Sequence, residues 1–327
     1  MKICFVDTTK LEYTHKDIDD KKIRGSESSI INLSKKLSEL GNDVCIFNHS
    51  KVEIVNNKYS WQNISKIEKH KQDFDVVISN NDSEILSIFD CKKKYVLSHS
   101  ILNIEKAIRK KQFFSYFANK PKYLLLGSYH KKKMSKIFSI YGNYIINYGV
   151  DEIFENQIIT DNYDKNLSFF TSRQDRNLNL LIDVWKNGIN QKRKESKLFI
   201  TPISKDLISY NIYNREMLNK KAFIDDIIRS RMIILPGHKA ELSCLAAMEA
   251  SELCLPIVTM GIGSLSERVE HLVTGLVSKS KKDFTENILE LYNNDALWNE
   301  IKFNLKLRRG SNSWSKIAND FNKVLQK

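Results

Sequence analysis

The chain has 327 residues, of which 52 are basic and 39 acidic, giving a formal net charge of +13. At about 150 residues per domain this length points to two domains. A composition of 42% hydrophobic and 28% charged residues, with only 4 Pro, describes a folded chain and excludes a disordered or collagen-like one. No apolar run reaches the ~18 residues of a membrane span. The opening MKICFVDTT is too short for a signal-peptide core and reads as a first strand.

In chain order, the first half alternates short apolar runs with helical stretches. Strands are expected at Ile3–Val6, Val44–Phe47, Asp75–Ile78, Tyr95–Leu97, Tyr123–Leu126 and Tyr144–Ile146. Between the first two, Glu27–Leu40 places apolar residues at 30, 33, 37 and 40, one face of a helix, with Gly41 to end it. The polar segment 151–166 marks a boundary. Beyond it, strands are expected at Leu167–Phe170, Lys197–Ile200, Met232–Leu235, Ile257–Thr259 and Gly275–Val277. Helices are expected at 178–187, 222–229, 244–253, 282–293, 295–306 and 313–325. Strand and helix in regular alternation predict parallel sheets with crossover helices, and so two α/β domains, 1–150 and 151–327. Ligands of such sheets bind at the C-terminal ends of the strands.

The five cysteines, at 4, 45, 91, 244 and 254, are odd in number and show no CxxC or Cys/His ligand spacing. They read as small buried residues in a reducing cytoplasm. The charge is concentrated: residues 91–140 hold 13 basic residues and one acid, Glu105. A field of that sign implies an anionic partner: nucleic acid, an anionic membrane surface or a phosphorylated substrate.

The densest chemistry lies in Met232–Val277, MIILPGHKAELSCLAAMEASELCLPIVTMGIGSLSERVEHLVTGLV. A buried strand ends at Pro236-Gly237, a loop presents Glu241, and Ser243 is placed to cap a helix bearing Glu249. On a regular helix Glu241 and Glu249 would stand ~12 Å apart. Two such carboxylates can hold the ends of an extended ligand by accepting hydrogen bonds from vicinal hydroxyls. The turn Gly263-Ser264-Leu265 offers backbone N–H groups suited to a phosphate.

The E-x7-E of HKAELSCLAAMEA, with LPIVT and GIGSLSERVEHLVTGLV after it, resembles the donor-site region of retaining GT-B glycosyltransferases of family 4. SFFTSRQDRNLNLLIDVW resembles the segment that opens that family's second domain. RGSESSIINLSKKLSELGNDV resembles its N-terminal glycine loop and helix, IINYGVDEIF its interdomain strand end, and SWSKIANDF its closing helix. The resemblance implies a GT-B fold: two Rossmann-like domains facing each other across a cleft, acceptor-binding first and donor-binding second, with the closing helix at about 313–325 able to cross back to the first.

The same resemblance implies the roles. Glu249 would hold the ribose hydroxyls and Glu241 the donor sugar. Arg173 matches the diphosphate arginine, and Arg176 stands where the family has a lysine. Gly25 matches the second glycine of the N-terminal loop, the first being Arg24. His99 matches the active-site histidine. The usual asparagine and proline have moved or vanished in Asn147-Tyr148-Gly149-Val150, so no role is assigned there. Arg173, Arg176 and backbone N–H groups would stabilise the leaving diphosphate without a metal or other cofactor. Asp73-Phe74-Asp75 reads as the start of a strand rather than a metal-binding D-x-D.

If Ile101–Ala118 forms one helix, Lys106, Lys110, Phe113 and Phe117 share a face. With Lys131, Lys132 and Lys133 they would make a patch for an anionic membrane or a lipid-linked or glycan acceptor. The expected partners are therefore a nucleotide-sugar donor and such an acceptor, at the inner face of the membrane. A basic nucleic-acid-binding protein is an alternative, although no recognised nucleic-acid motif is visible. Another GT-B enzyme, such as a nucleotide-sugar epimerase or a phosphorylase, is a second.

Overall fold

The computed structural model describes residues 1–18, 23–56, 58–160, 162–200, 207–215 and 219–326. The chain divides into two compact units, Met1–Gly149 with Trp314–Lys327, and Val150–Ser313.

The first unit is built on a seven-stranded sheet. Its strands are β1 (Lys2–Val6), β2 (Asp43–Asn48), β3 (Tyr59–Asn63), β4 (Val76–Asn80), β5 (Lys93–Leu97), β6 (Lys122–Leu125) and β7 (Asn143–Ile145), in the order β3-β2-β1-β4-β5-β6-β7. Every ladder between them is parallel. The central strands β1 and β4 are buried on both faces, so they read as continuous apolar runs. The helix Gly25–Glu39 buries Ile30, Ile31, Leu33 and Leu37. The backbone N–H of Arg24 donates to Glu27 Oε2 at its start, and Gly41 (φ +89°) follows its end. The closing helix Trp314–Gln326 packs beside it. Gly149 permits this packing: a Cβ there would lie 2.4 Å from the Trp314 ring.

The second unit carries six parallel strands: β8 (Asp164–Phe170), β9 (Lys197–Ile200), β10 (Ile212–Asn214), β11 (Ser230–Gly237), β12 (Ile257–Ile262) and β13 (Gly275–Val277). Their order is β10-β9-β8-β11-β12-β13. Strands β8, β11 and β12 are therefore neighbours, and the loops that leave their C-terminal ends come together.

All eleven expected strands are present. The two that were not expected, β3 and β10, are both edge strands. Only Trp61 of YSWQN and Ile212 of IYN are buried, so neither segment carries the apolar run that marks an interior strand.

The segment 101–118 is not one helix. It forms Ile104–Arg109 and Gln112–Asn119, broken where Lys111 takes φ +58°. The predicted stripe of Lys106, Lys110, Phe113 and Phe117 is therefore not a surface. Phe113 and Phe117 turn inward onto a cluster containing Tyr116, Tyr123 and Phe138. Burying two rings among aromatic neighbours is worth more than leaving them beside lysines. Ile104, Ile108 and Phe114 are exposed in their place, Phe114 by 79%.

Candidate active site

In the second unit three loops converge after β8, β11 and β12. The first carries Ser172, Arg173, Asp175 and Arg176. Arg173 Nη2 and Arg176 Nη1 each donate to Asp175 Oδ2 at 2.9 Å, so one carboxylate is held by both guanidinium groups. Arg173 is 75% exposed and Arg176 15%. Asn177, in the left-handed region, donates through Nδ2 to the Gly237 carbonyl and ties this loop to the end of β11.

The second loop turns at once. Gly237 takes φ +89°, and a Cβ there would lie 2.6 Å from Ile262 O. The Glu241 N–H donates to His238 O at 3.0 Å. Glu241 thus sits on a turn ahead of the helix Leu245–Glu252, and the helical spacing expected between Glu241 and Glu249 does not apply. Ser243 is not the cap either. Cys244 occupies that position at φ +51°, while the Ser243 carbonyl accepts from Arg268 Nε at 3.0 Å. Ser172 Oγ donates to Glu241 Oε1 at 3.4 Å. Burial raises the Glu241 pKa, and Cys244, Arg176, Ser172 and His238 oppose that rise.

The third loop, Gly263-Ser264-Leu265, locks onto the second. Gly263 takes φ +75°, and a Cβ would lie 2.3 Å from His238 O. The Ser264 N–H donates to Glu241 O at 3.0 Å, so it is not free for a phosphate as the turn alone suggested. Ser264 is fully buried and Leu265 begins a single helical turn, Leu265–Arg268.

Glu249 belongs to a separate cluster, with Asp151 and Lys220. Lys220 pairs with Asp151. Glu249 keeps partial solvent access, yet its carboxyl is pushed up to about 8, first by desolvation and then by the Asp151 charge, with Lys220 opposing. Glu241 therefore feels the Arg176 charge, while Glu249 feels those of Asp151 and Lys220.

The other expected residues lie in the first unit. Gly25 is the first residue of the helix Gly25–Glu39. His99 follows β5, and its backbone N–H donates to Asn81 Oδ1 at 2.7 Å. Its ring stacks on Tyr148, with centroids 5.6 Å apart and planes 18° apart, and Nδ1 makes a short hydrogen bond to the phenol oxygen. Burial, reinforced by His130, lowers the His99 pKa to about 3. Lys106 and Lys110 line a small surface pocket with Asn81, Ser98, Asn103 and Gln112. Lys131, Lys132 and Lys133 are exposed on the short helix Ser128–Lys133.

Sequence reasoning missed four partners: Asp175, Ser172, Asn177 and Tyr148. Three of these, Ser172, Asp175 and Asn177, flank Arg173 or Arg176 directly, and a carboxylate between two arginines is itself a signal. Tyr148 carries no such signal, because it stands where the usual asparagine and proline have moved or vanished.

No family model matches the sequence, and neither does any curated protein. The fold has solved counterparts. HepE from Anabaena, solved in complex with UDP, aligns with a TM-score of 0.72 at 12% identity over 100% of both chains. Sucrose-phosphate synthase from Thermosynechococcus elongatus aligns with a TM-score of 0.70 at 11% identity, over 99% of this chain and 98% of that one. WaaG, a glycosyltransferase involved in lipopolysaccharide biosynthesis, gives 0.66 at 11% identity over 99% of each. The chain has the GT-B fold of these glycosyltransferases, with two parallel α/β sheets of seven and six strands.

Proposed function

We propose that this protein is a retaining glycosyltransferase that moves a sugar from a nucleoside-diphosphate donor to a glycan or lipid-linked acceptor, in bacterial cell-surface polysaccharide or glycolipid synthesis. The observation that carries the reading is the pair of arginines after β8, gripping one carboxylate at 2.9 Å beside the half-buried Glu241. The shared fold, with UDP present in the HepE structure, supports it.

The chemistry follows from charge. Cleavage of the sugar–phosphate bond leaves about two negative charges on the departing diphosphate, and Arg173 and Arg176 supply rigid, bidentate cations to meet them. Their charge does the work that a divalent metal would otherwise do. Glu241 accepts from hydroxyls of the donor sugar and Glu249 from the ribose. Among the described residues no carboxylate stands out as a nucleophile, which favours front-face attack by the acceptor with retention.

A thermal-shift screen of UDP-, GDP- and ADP-sugars tests the donor half. One nucleotide class raises Tm, and Glu249→Ala removes that rise. A protein that no nucleotide sugar stabilises is not this enzyme.

The acceptor half of the reading is anionic and membrane-adjacent. It rests on Lys106 and Lys110 in the pocket, and on Ile104, Ile108 and Phe114 exposed beside Arg109 and Lys111. At about 1 kcal/mol per basic residue near an anionic surface, Lys106→Gln with Lys110→Gln should weaken low-salt binding to phosphatidylglycerol vesicles by roughly 30-fold. Equal binding to neutral and anionic vesicles contradicts it.

A further inference from the structure

The surface pocket of the first unit has a braced wall and an unbalanced charge. The wall is the stretch between β5 and the helix Ile104–Arg109. Ser98 Oγ donates to Ser100 O at 2.9 Å. The buried His130 ring reaches the same carbonyl. Its Nδ1 accepts from the Leu126 N–H at 3.3 Å, so Nε2 carries the proton and donates to Ser100 O at 3.1 Å. The Ser135 N–H donates to Leu102 O at 2.9 Å. Gln112, also in the lining, donates through Nε2 to Asn81 O at 3.0 Å and to Asp82 Oδ1 at 3.3 Å. Asp82 accepts from Thr8 Oγ1 and the Glu84 N–H as well, so its carboxylate is satisfied without a cation.

Two ammonium groups stand in this wall without a counter-ion. Lys106 is half-buried and Lys110 exposed, and neither Nζ has a hydrogen-bond or ion-pair partner among the described residues. Desolvation lowers the Lys106 pKa, and Lys110 and Arg109 lower it further, with no carboxylate opposing them. An anion of about two charges relieves both the desolvation and the repulsion. The pocket is small and suits a compact group rather than a sugar ring. Its remaining walls are apolar, from Ile101, Leu102 and Ala107. On the same helix Ile104 and Ile108, at i and i+4, form an exposed apolar side, and Phe114 is exposed on the next helix. We propose that this pocket is a subsite for the phosphate monoester of a membrane-borne lipid, seated at Lys106 and Lys110 while Ile104, Ile108 and Phe114 meet the bilayer. A monoester carries about −1.5 to −2 near pH 7 and three acceptor oxygens, which matches two ammonium groups better than a singly charged diester does. The inference deepens the membrane-adjacent reading of the acceptor half and rests on it for the lipid.

Co-sedimentation of the full chain with two kinds of anionic vesicle tests the subsite. Phosphatidylcholine vesicles carrying phosphatidic acid, a monoester, are compared with vesicles carrying phosphatidylglycerol, a diester, at equal zeta potential. The wild type should bind the monoester vesicles about fivefold more tightly, the order of one partly exposed ion pair. Lys106→Gln with Lys110→Gln should make the two equal. Lys131→Gln, Lys132→Gln and Lys133→Gln together should weaken both by the same factor and leave the preference. Ile108→Asp with Phe114→Asp should also weaken both, because apolar side chains lose their place in the interface. Equal binding of the wild type to the two vesicles, or a preference that survives loss of both lysines, overturns the subsite. Either result leaves the anionic-membrane reading standing, since that reading fails only if neutral and anionic vesicles bind alike. Erasure of the preference by soluble glycerol phosphate, or undiminished binding by the Ile108 and Phe114 variant, overturns the assignment to a lipid.

Discussion

The second unit and the basic segment 91–140 of the first treat their cations in opposite ways. In the second, Arg173 and Arg176 share Asp175, Lys220 holds Asp151, and Lys165 and Arg231 share Asp295. Arg231 is fully buried and also stacks on Trp298, 4.7 Å from the ring centroid, while donating to Leu291 O at 2.8 Å. In the first, none of the 13 basic residues of 91–140 forms an ion pair among the described residues. Lys93 and Lys94 reach neutral oxygens, and Lys122 and Lys133 lie over tyrosine rings. Internal carboxylates set the geometry of the second unit's cations before any ligand arrives. The cations of 91–140 have no internal anion among the described residues, and desolvation, then repulsion from Lys110 and Arg109, lowers the Lys106 pKa. A preorganised site can do chemistry, whereas an uncompensated field can attract a partner.

The largest test of that contrast is removal of the preorganised charge. Arg176→Ala and Arg173→Ala should each cut turnover by about 10²–10³-fold, the usual loss for one donor to a developing anion. The half-buried Arg176 should cost more than the exposed Arg173. Steady-state assay with the donor found by thermal shift reads this, and full activity in both variants would remove the diphosphate assignment.

A smaller effect should appear in stability. The unfolded chain releases the Glu249 proton near pH ~4.3, while the folded chain holds it up to about 8. The folded state binds the extra proton, so this group's contribution to stability declines as pH rises between those values and levels off above 8. Tm measured from pH 5 to 9 should fall less steeply in Glu249→Gln than in the wild type. Parallel curves would show that Glu249 ionises normally.

Interior strands and long amphipathic helices were legible because burial writes itself into a run of apolar residues or a 3.6-residue period. The edge strands β3 and β10 were not, since one buried residue in each leaves no pattern. The basic segment misled for another reason. Its helical period is real on each side of Lys111, but a single residue at φ +58° resets the rotation, and periodicity cannot see that break. At the candidate site, glutamates and arginines stood out as residue types at given spacings. What holds them did not: Cys244 in place of Ser243 at the helix start, Asp175 between the arginines, and Tyr148 behind His99 all depend on which loops fold against one another.

Asp175 sharpens the comparison at its finest scale. It occupies the arginines where a diphosphate would bind, so donor binding must exchange one internal carboxylate for the ligand's phosphates. The pair is 51% exposed on the Asp175 side, and exposed ion pairs contribute only about 0–1 kcal/mol. Asp175→Asn should therefore tighten UDP binding by at most about fivefold. Titration calorimetry at low and high salt reads the change, which should shrink as salt screens the competing carboxylate. If the substitution weakens binding instead, Asp175 acts by aiming the two guanidinium groups. The second unit's anions would then be scaffold rather than competitors, and the contrast with the lysines of 91–140 would be one of geometry more than of charge.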